Sequence, residues 1–255
     1  MDNTVINNHP RGHLLSRLGL GTAKFGRNTG VKYPGGDGFI LPDDKTINDI
    51  LDLCLDLGIT LLDTAPAYGV AEERLGALLG ARRDKFFLMT KTGEEYEDGQ
   101  SRYEFSASHT RLSIERSLKR LRTDYLDAVL VHSNRSDLDV VTKAEVINTL
   151  NDLKREGKVG LIGVSTYTVD GGMAALAATD AVMVAHNRGY QDEASVIARA
   201  AELGKAVFVK KALSSGHSAD PAADLRFVAA TRGVTSAIIG SITPANIRAN
   251  TAALS

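Results

Sequence analysis

In Leu126-Asp127-Ala128-Val129-Leu130-Val131-His132 the four residues from Ala128 to Val131 are apolar at consecutive positions, and the stretch ends on an ionisable residue. A strand wetted on one side alternates apolar and polar residues. One that is apolar on consecutive residues is covered on both faces, as in a parallel sheet under helices. Runs of this kind return along the chain. The predicted strands are Leu18–Thr22, Thr60–Asp63, Phe86–Lys91, Leu126–His132, Leu161–Ser165, Ala181–Ala185, Ala206–Lys210 and Ala237–Gly240. Amphipathic helical patterns lie between them. The first, about Asp43–Leu57, spaces Ile47, Ile50, Leu51, Cys54 and Leu57 three and four apart, behind Pro42 and before Gly58. Others are expected over about Ser106–Arg122, Lys143–Glu156 and Ala194–Leu203, around Met173–Ala178 and Ala222–Thr231, and from Pro244.

Eight strand–helix units fit the 255 residues, with no linker or low-complexity tract. That is the count and length of a closed (β/α)8 TIM barrel, so one α/β barrel domain over residues 1–255 is predicted. Gly19, Gly21 and Gly26 do not make a GxGxxG after the first strand, which speaks against a Rossmann cofactor site.

Composition narrows the function. Lys plus Arg number 30 against 31 Asp plus Glu, for a formal net charge of −1. Nucleic-acid and membrane-surface proteins need a basic excess or stripe, so neither partner is expected. No apolar run approaches the roughly 18 residues of a membrane span. The polar segment Met1–Arg11 lacks the apolar core of a signal peptide. One cysteine, Cys54, excludes an internal disulfide framework and a cysteine-based zinc site, and no metal is expected. A cytoplasmic protein is the plain expectation; its oligomeric state is not legible.

In a barrel of this kind the chemistry lies at the C-terminal ends of the strands. There the second, third and fourth strands each deliver one ionisable residue from an apolar run: Asp63, Lys91 and His132. Tyr68 follows Asp63 in the adjoining loop. Singly, each has an ordinary explanation: a loop cap, a snorkelling lysine, a hydrogen-bonded core histidine, a packing tyrosine. Together they make an acid–base centre. A lysine ammonium is expected to lower the tyrosine pKa. The tyrosine then gives a proton to a carbonyl oxygen as hydride arrives, and the histidine orients that oxygen.

The stretch Gly58-Ile59-Thr60-Leu61-Leu62-Asp63-Thr64-Ala65-Pro66-Ala67-Tyr68-Gly69 resembles the aldo-keto reductase family. So do Leu18-Gly19-Leu20-Gly21-Thr22, Lys91, Leu121-Arg122-Thr123-Asp124-Tyr125-Leu126-Asp127 leading to His132, and Ile162-Gly163-Val164-Ser165, in family order. The resemblance implies reduction of a small aldehyde or ketone by NADPH, with NADH possible, and Asp63, Tyr68, Lys91 and His132 as the catalytic tetrad. It implies cofactor contacts at Gly21, Thr22, Ser165 and Asn187. It also implies one at Lys210, where an aromatic ring normally stacks on the nicotinamide. The segment Ile239–Asn250, with Gly240, Ser241, Asn246 and Asn250, is similar to the family's adenosine 2′-phosphate grip. The cations common at positions 240 and 246 are absent.

Two regions have no parallel in the resemblance. The glycine-rich stretch from Lys24 to Pro42 is expected to be a substrate lid, offering Lys24, Arg27, Lys32 and Tyr33. The sequence stops at Ser255, inside the eighth helix, so a pocket without the family's C-terminal wall is expected. Two other classes stay open: a cofactor-binding sensor on the same barrel, and a lyase or aldolase using Lys91 as a Schiff-base amine.

Overall fold

Eight parallel strands close into one barrel in the computed structural model, which describes residues 4–5, 14–143 and 145–254. They are β1 (Leu18–Gly21), β2 (Leu61–Asp63), β3 (Phe87–Thr92), β4 (Leu126–His132), β5 (Val159–Ser165), β6 (Ala181–Ala185), β7 (Ala206–Lys210) and β8 (Ser236–Ile239). Each pairs with the next, and β8 returns to β1 through Ala237 opposite Leu18. The (β/α)8 expectation is met. The helices are α1 (Asp44–Asp56), α2 (Ala71–Leu78), α3 (Ala107–Leu121), α4 (Val146–Arg155), α5 (Val169–Ala178), α6 (Ala194–Leu203), α7 (Pro221–Ala230) and α8 (Pro244–Ala252). Short polar side chains start several of them. Asp43, Ser106 and Thr168 accept hydrogen bonds from the amides of Thr46, His109 and Gly171, supplying partners to first-turn N–H groups that have none within the helix.

The runs are apolar on both parities because the barrel has two cores. Leu61, Phe87, Met89, Ala128, Leu130, Leu161, Ala181, Met183, Ala206 and Phe208 fill its interior. Their alternates, such as Leu62, Leu88, Val129, Val131, Val182 and Val207, pack outward under the helices. Leu15, just before β1, joins the interior set. Buried Cys54 belongs to the outer layer, and burial pushes its thiol up to about 12, so it behaves as an apolar filler.

Three features depart from expectation. A two-stranded antiparallel hairpin, Glu94–Glu97 with Gln100–Tyr103, rises from the end of β3. A short helix, Asp137–Lys143, precedes α4, so the helix expected over 143–156 starts later, at Val146; residue 144 lies outside the described residues. A one-turn helix, Ala23–Gly26, opens the long stretch after β1. The segment Met1–Arg11 lies almost wholly outside the described residues. Among the described residues no helix is long and apolar enough to cross a membrane.

That one-turn helix seats directly on the turn that carries Tyr68. A Cβ at Gly26 would fall 2.2 Å from the Ala71 amide nitrogen and 2.4 Å from the Tyr68 carbonyl oxygen. Backbone on that side cannot yield cheaply. Gly26→Ala is therefore expected to cost roughly 1–3 kcal/mol, read as a lower urea midpoint at unchanged slope.

Candidate active site

Side chains along a strand alternate between faces, so each interior row continues into the barrel mouth. Counting by two from Leu61, Met89, Leu130, Leu161 and Phe208 reaches Asp63, Lys91, His132, Ser165 and Lys210. The register brings the rows level: Gly21 lies opposite Asp63, and His132 opposite Ser165.

Lys91 is the most constrained of the five, at 1% exposure. Its Nζ donates to Asp63 Oδ1 at 2.5 Å, to the Thr64 carbonyl at 2.9 Å and to the Tyr68 hydroxyl at 3.3 Å. Tyr68 ends a 3-10 turn, Pro66–Tyr68, started by a proline at its first position. Gly69 then takes φ +61, with its α-carbon hydrogen turned toward the Gly26 carbonyl, where a Cβ would come within 2.2 Å. Only glycine fits there.

The expected lowering of the Tyr68 pKa does not occur. Burial, with Asp63 and the neighbouring Tyr33, Glu94 and Tyr167 adding to it, raises that pKa well above 10. Lys91, already paired with Asp63, does not outweigh the burial. The resting side chain is a neutral phenol, suited to giving a proton rather than taking one.

His132 stands across the pocket from Tyr68, ring centroids 6.3 Å apart and nearly perpendicular. Its Nδ1 lies 2.7 Å from Oε2 of Glu94, the first residue of the β3 hairpin. Sequence reasoning missed Glu94 and the hairpin, although Asp98-Gly99, both at positive φ, is a two-residue hairpin signal.

The stretch after β1 lies over the mouth, and its arginine is engaged. Arg27 stacks 3.3 Å above the Tyr96 ring of the hairpin and donates to the Ala67 carbonyl. The Lys32 carbonyl lies 3.2 Å from Nε2 of His217, in the loop after β7. Only Lys24 and Tyr33 of the four expected residues line the pocket, with the Lys24 ammonium 4.3 Å from the Tyr33 ring. The segment thus bridges the hairpin and the β7 loop.

The pocket of about 300 Å³ holds Asp63, Tyr68, His132, Tyr167 and Lys210. It runs into a groove of about 390 Å³ through shared walls at Lys24, Leu213, Gly216, Ile239 and Gly240. Of the expected cofactor positions, Gly21, Lys210 and Gly240 line the pocket, and Gly240, Ser241, Asn246 and Asn250 line the groove. Thr22 is buried and donates to the Asp63 carbonyl. Asn187 is used as a brace, donating to the Lys211 carbonyl and accepting from the Gly189 amide. Lys210 points inward: Nζ donates to Ser165 Oγ at 2.9 Å and the Thr166 carbonyl at 2.7 Å, 4.0 Å from the Tyr167 ring. A larger, shallow depression of about 640 Å³ lies against Asn148, Asn151 and Arg155 of α4, far from these groups. No cluster able to hold a metal ion occurs among the described residues.

The chain matches the model of the aldo/keto reductase family over residues 17–217. Its structure is similar to that of a putative aldo-keto reductase from Pseudomonas aeruginosa, at 47% identity and TM-score 0.87, covering 98% of this chain and 95% of that one. The aldo-keto reductase YhdN of Bacillus subtilis (strain 168) is 36% identical over 159 residues, 61% of this chain and 44% of its own. The NADH-specific methylglyoxal reductase of Escherichia coli (strain K12) is 33% identical over 172 residues, 61% of this chain and 50% of its own. The matches span half or less of these two curated relatives. The closed barrel and the match from residue 17 to residue 217 place the chain in the aldo/keto reductase family.

Proposed function

We propose that the chain is an NAD(P)H-dependent oxidoreductase that reduces an aldehyde or ketone to an alcohol, with Tyr68 as the proton donor. The observation that carries this is the Lys91 ammonium set between the Asp63 carboxylate and the Tyr68 hydroxyl in a pocket that opens into a long groove. Burial keeps the phenol protonated until a carbonyl oxygen needs its proton. Once the proton has left, the phenolate faces an ammonium 3.3 Å away, so the new charge is met by a group already in place. Tyr167, Tyr33 and the bridging segment limit water at that point.

The groove suits a nicotinamide dinucleotide. A Cβ built on Gly240 meets nothing within 4 Å, so backbone there is open to a ligand. The N-terminus of α8 beyond it offers free N–H groups to a phosphate. Gly21, Gly240, Ser241, Asn246 and Asn250 would hold the cofactor, with Lys24 lining both the pocket and the groove. When bound, reduced nicotinamide supplies the electrons and hydrogen that reduce the carbonyl carbon. Ser165 Oγ accepts from Lys210 and keeps its own O–H, which a carboxamide oxygen would take. NADPH is the first choice from the family resemblance. With no cation at positions 240 and 246, its 2′-phosphate would rely on the helix N-terminus.

A sensor on the same barrel would need the groove but not the Lys91–Tyr68 contact, and the contact is present. A Schiff-base mechanism needs a free amine; Lys91 donates to three acceptors and has none to spare.

Tyr68→Phe is expected to lower turnover of 4-nitrobenzaldehyde at least about 10²-fold while NADPH still binds, read by absorbance and by fluorescence titration. Equal rates would remove the proton-donor assignment. Lys210 gives a second expectation. Burial lowers its pKa from 10.5 to about 8, so the folded state bears a penalty for the charged amine. That penalty is full below about pH 8 and is relieved as pH rises toward 10.5, where the unfolded amine also deprotonates. Lys210→Met should therefore raise the melting temperature at pH 7 by roughly 3 °C or more, the gain shrinking as pH rises through that window.

A further inference from the structure

Glu94 belongs to no motif read from the sequence, yet its carboxylate is built into the site. It is 8% exposed. Oε1 accepts from the Ser101 hydroxyl across the hairpin at 2.5 Å, and Oε2 lies 2.7 Å from His132 Nδ1. Burial alone would raise its pKa. The His132 contact, the Ser101 hydroxyl and the charge of Arg27 win, holding it down to about 2, so Glu94 is a carboxylate. Two lone pairs repel at 2.7 Å, so a proton stands between these atoms, and it resides on Nδ1. The contact falls short of hydrogen-bond geometry, so Glu94 acts on that edge of the ring by its charge and closeness. Nε2 is left as the other polar atom of a ring that lines the pocket.

A neutral imidazole with its proton on Nδ1 can only accept at Nε2; an imidazolium donates there. The charged and titratable groups around the ring are Glu94 on the hairpin, Lys91 on β3, Lys210 on β7 and Tyr68 on its turn. Burial, then Lys91 and Lys210, press the imidazole pKa below 6.5 against the pull of Glu94.

We propose that Glu94 is a positioning residue that keeps a proton on His132 Nδ1, so that Nε2 meets the substrate as an acceptor of an alcohol hydroxyl when the ring is neutral and as a donor to a carbonyl oxygen when it is protonated. The statement rests on the carbonyl-reductase reading. It makes reduction gain, and alcohol oxidation lose, as pH falls through the His132 midpoint.

The experiment is nitrogen-15 NMR of imidazole-labelled protein across pH 4–9, in wild type, Glu94→Gln and Ser101→Ala, with His132 assigned from His132→Asn. Wild type should show the Nδ1–H tautomer above its midpoint. Glutamine keeps an acceptor oxygen but loses the charge, so the midpoint should move to lower pH by about one unit, a tenfold loss of proton affinity. Ser101→Ala, which loosens Glu94 without discharging it, should move it less. The fall in kcat/KM for reduction as pH rises through the His132 midpoint should move to lower pH with the Glu94→Gln midpoint, and kcat should fall roughly tenfold, short of the loss of an acid–base group itself. An Nε2–H tautomer in wild type overturns the proposal even if no variant folds, and so does a midpoint unmoved by Glu94→Gln. If wild type reduces no carbonyl at all, the reductase reading fails, while the nitrogen resonances still decide the Glu94–His132 pair.

Discussion

The ion pair between Asp63 and Lys91 sets the terms for everything else in the barrel mouth. Both side chains are almost fully buried. Isolated, either would be expensive to hold there; paired at 2.5 Å, each answers the other's charge. Removing one partner from such a pair commonly costs about 3–5 kcal/mol because the survivor is stranded. The pair also decides what Tyr68 is. An ammonium with no counter-ion would draw the phenol toward ionisation, whereas a compensated one leaves burial in control. Burial thus outweighs the ammonium beside it, and the tyrosine rests as a neutral phenol.

The same mouth carries several groups that stability alone would not choose. Lys210 sits inward on β7 with a depressed pKa, and His132 is held below its ordinary value by burial and two lysines. Carboxylates answer these cations from different elements: Asp63 from β2, Glu94 from the hairpin, and Glu193, which accepts from the Thr166 hydroxyl. The bridging segment after β1 supplies Lys24 and Tyr33 to the walls, while Arg27 ties that segment to Tyr96 and to the carbonyl of Ala67, next to Tyr68. The hairpin is therefore fastened to both sides of the pocket, through Glu94 to His132 and through Arg27 to the tyrosine turn.

The barrel was legible because its signal is carried by many residues at once. Runs apolar on both parities need two cores, and counting by two along β2, β3, β4, β5 and β7 is enough to send Asp63, Lys91, His132, Ser165 and Lys210 to one end. The hairpin left a weaker trace. Its second strand, Gln100–Tyr103, is exposed throughout, so no apolar alternation marks it, and only Asp98-Gly99 hints at a turn. The Glu94–His132 contact joins residues from different strand ends and depends on barrel closure, which local spacing does not encode. The Tyr68 pKa was misjudged for a similar reason. Tyr33 and Tyr167, which help bury or repel its charge, come from loops after β1 and β5, and no motif announces where those loops fold. Asn187 and Thr22 show the converse: residues matched to family positions whose hydrogen bonds are spent on neighbouring backbone.

A compensated lysine and a phenol that stays protonated can be observed without substrate or cofactor. Protein labelled with carbon-13 at the tyrosine ζ-carbon, titrated by NMR with Tyr68 assigned from Tyr68→Phe, should keep the Tyr68 resonance at its phenol position past pH 10. A phenolate resonance at Tyr68 with a midpoint below 10 would contradict it, since Lys91 would then be acting on the tyrosine as an unpaired cation.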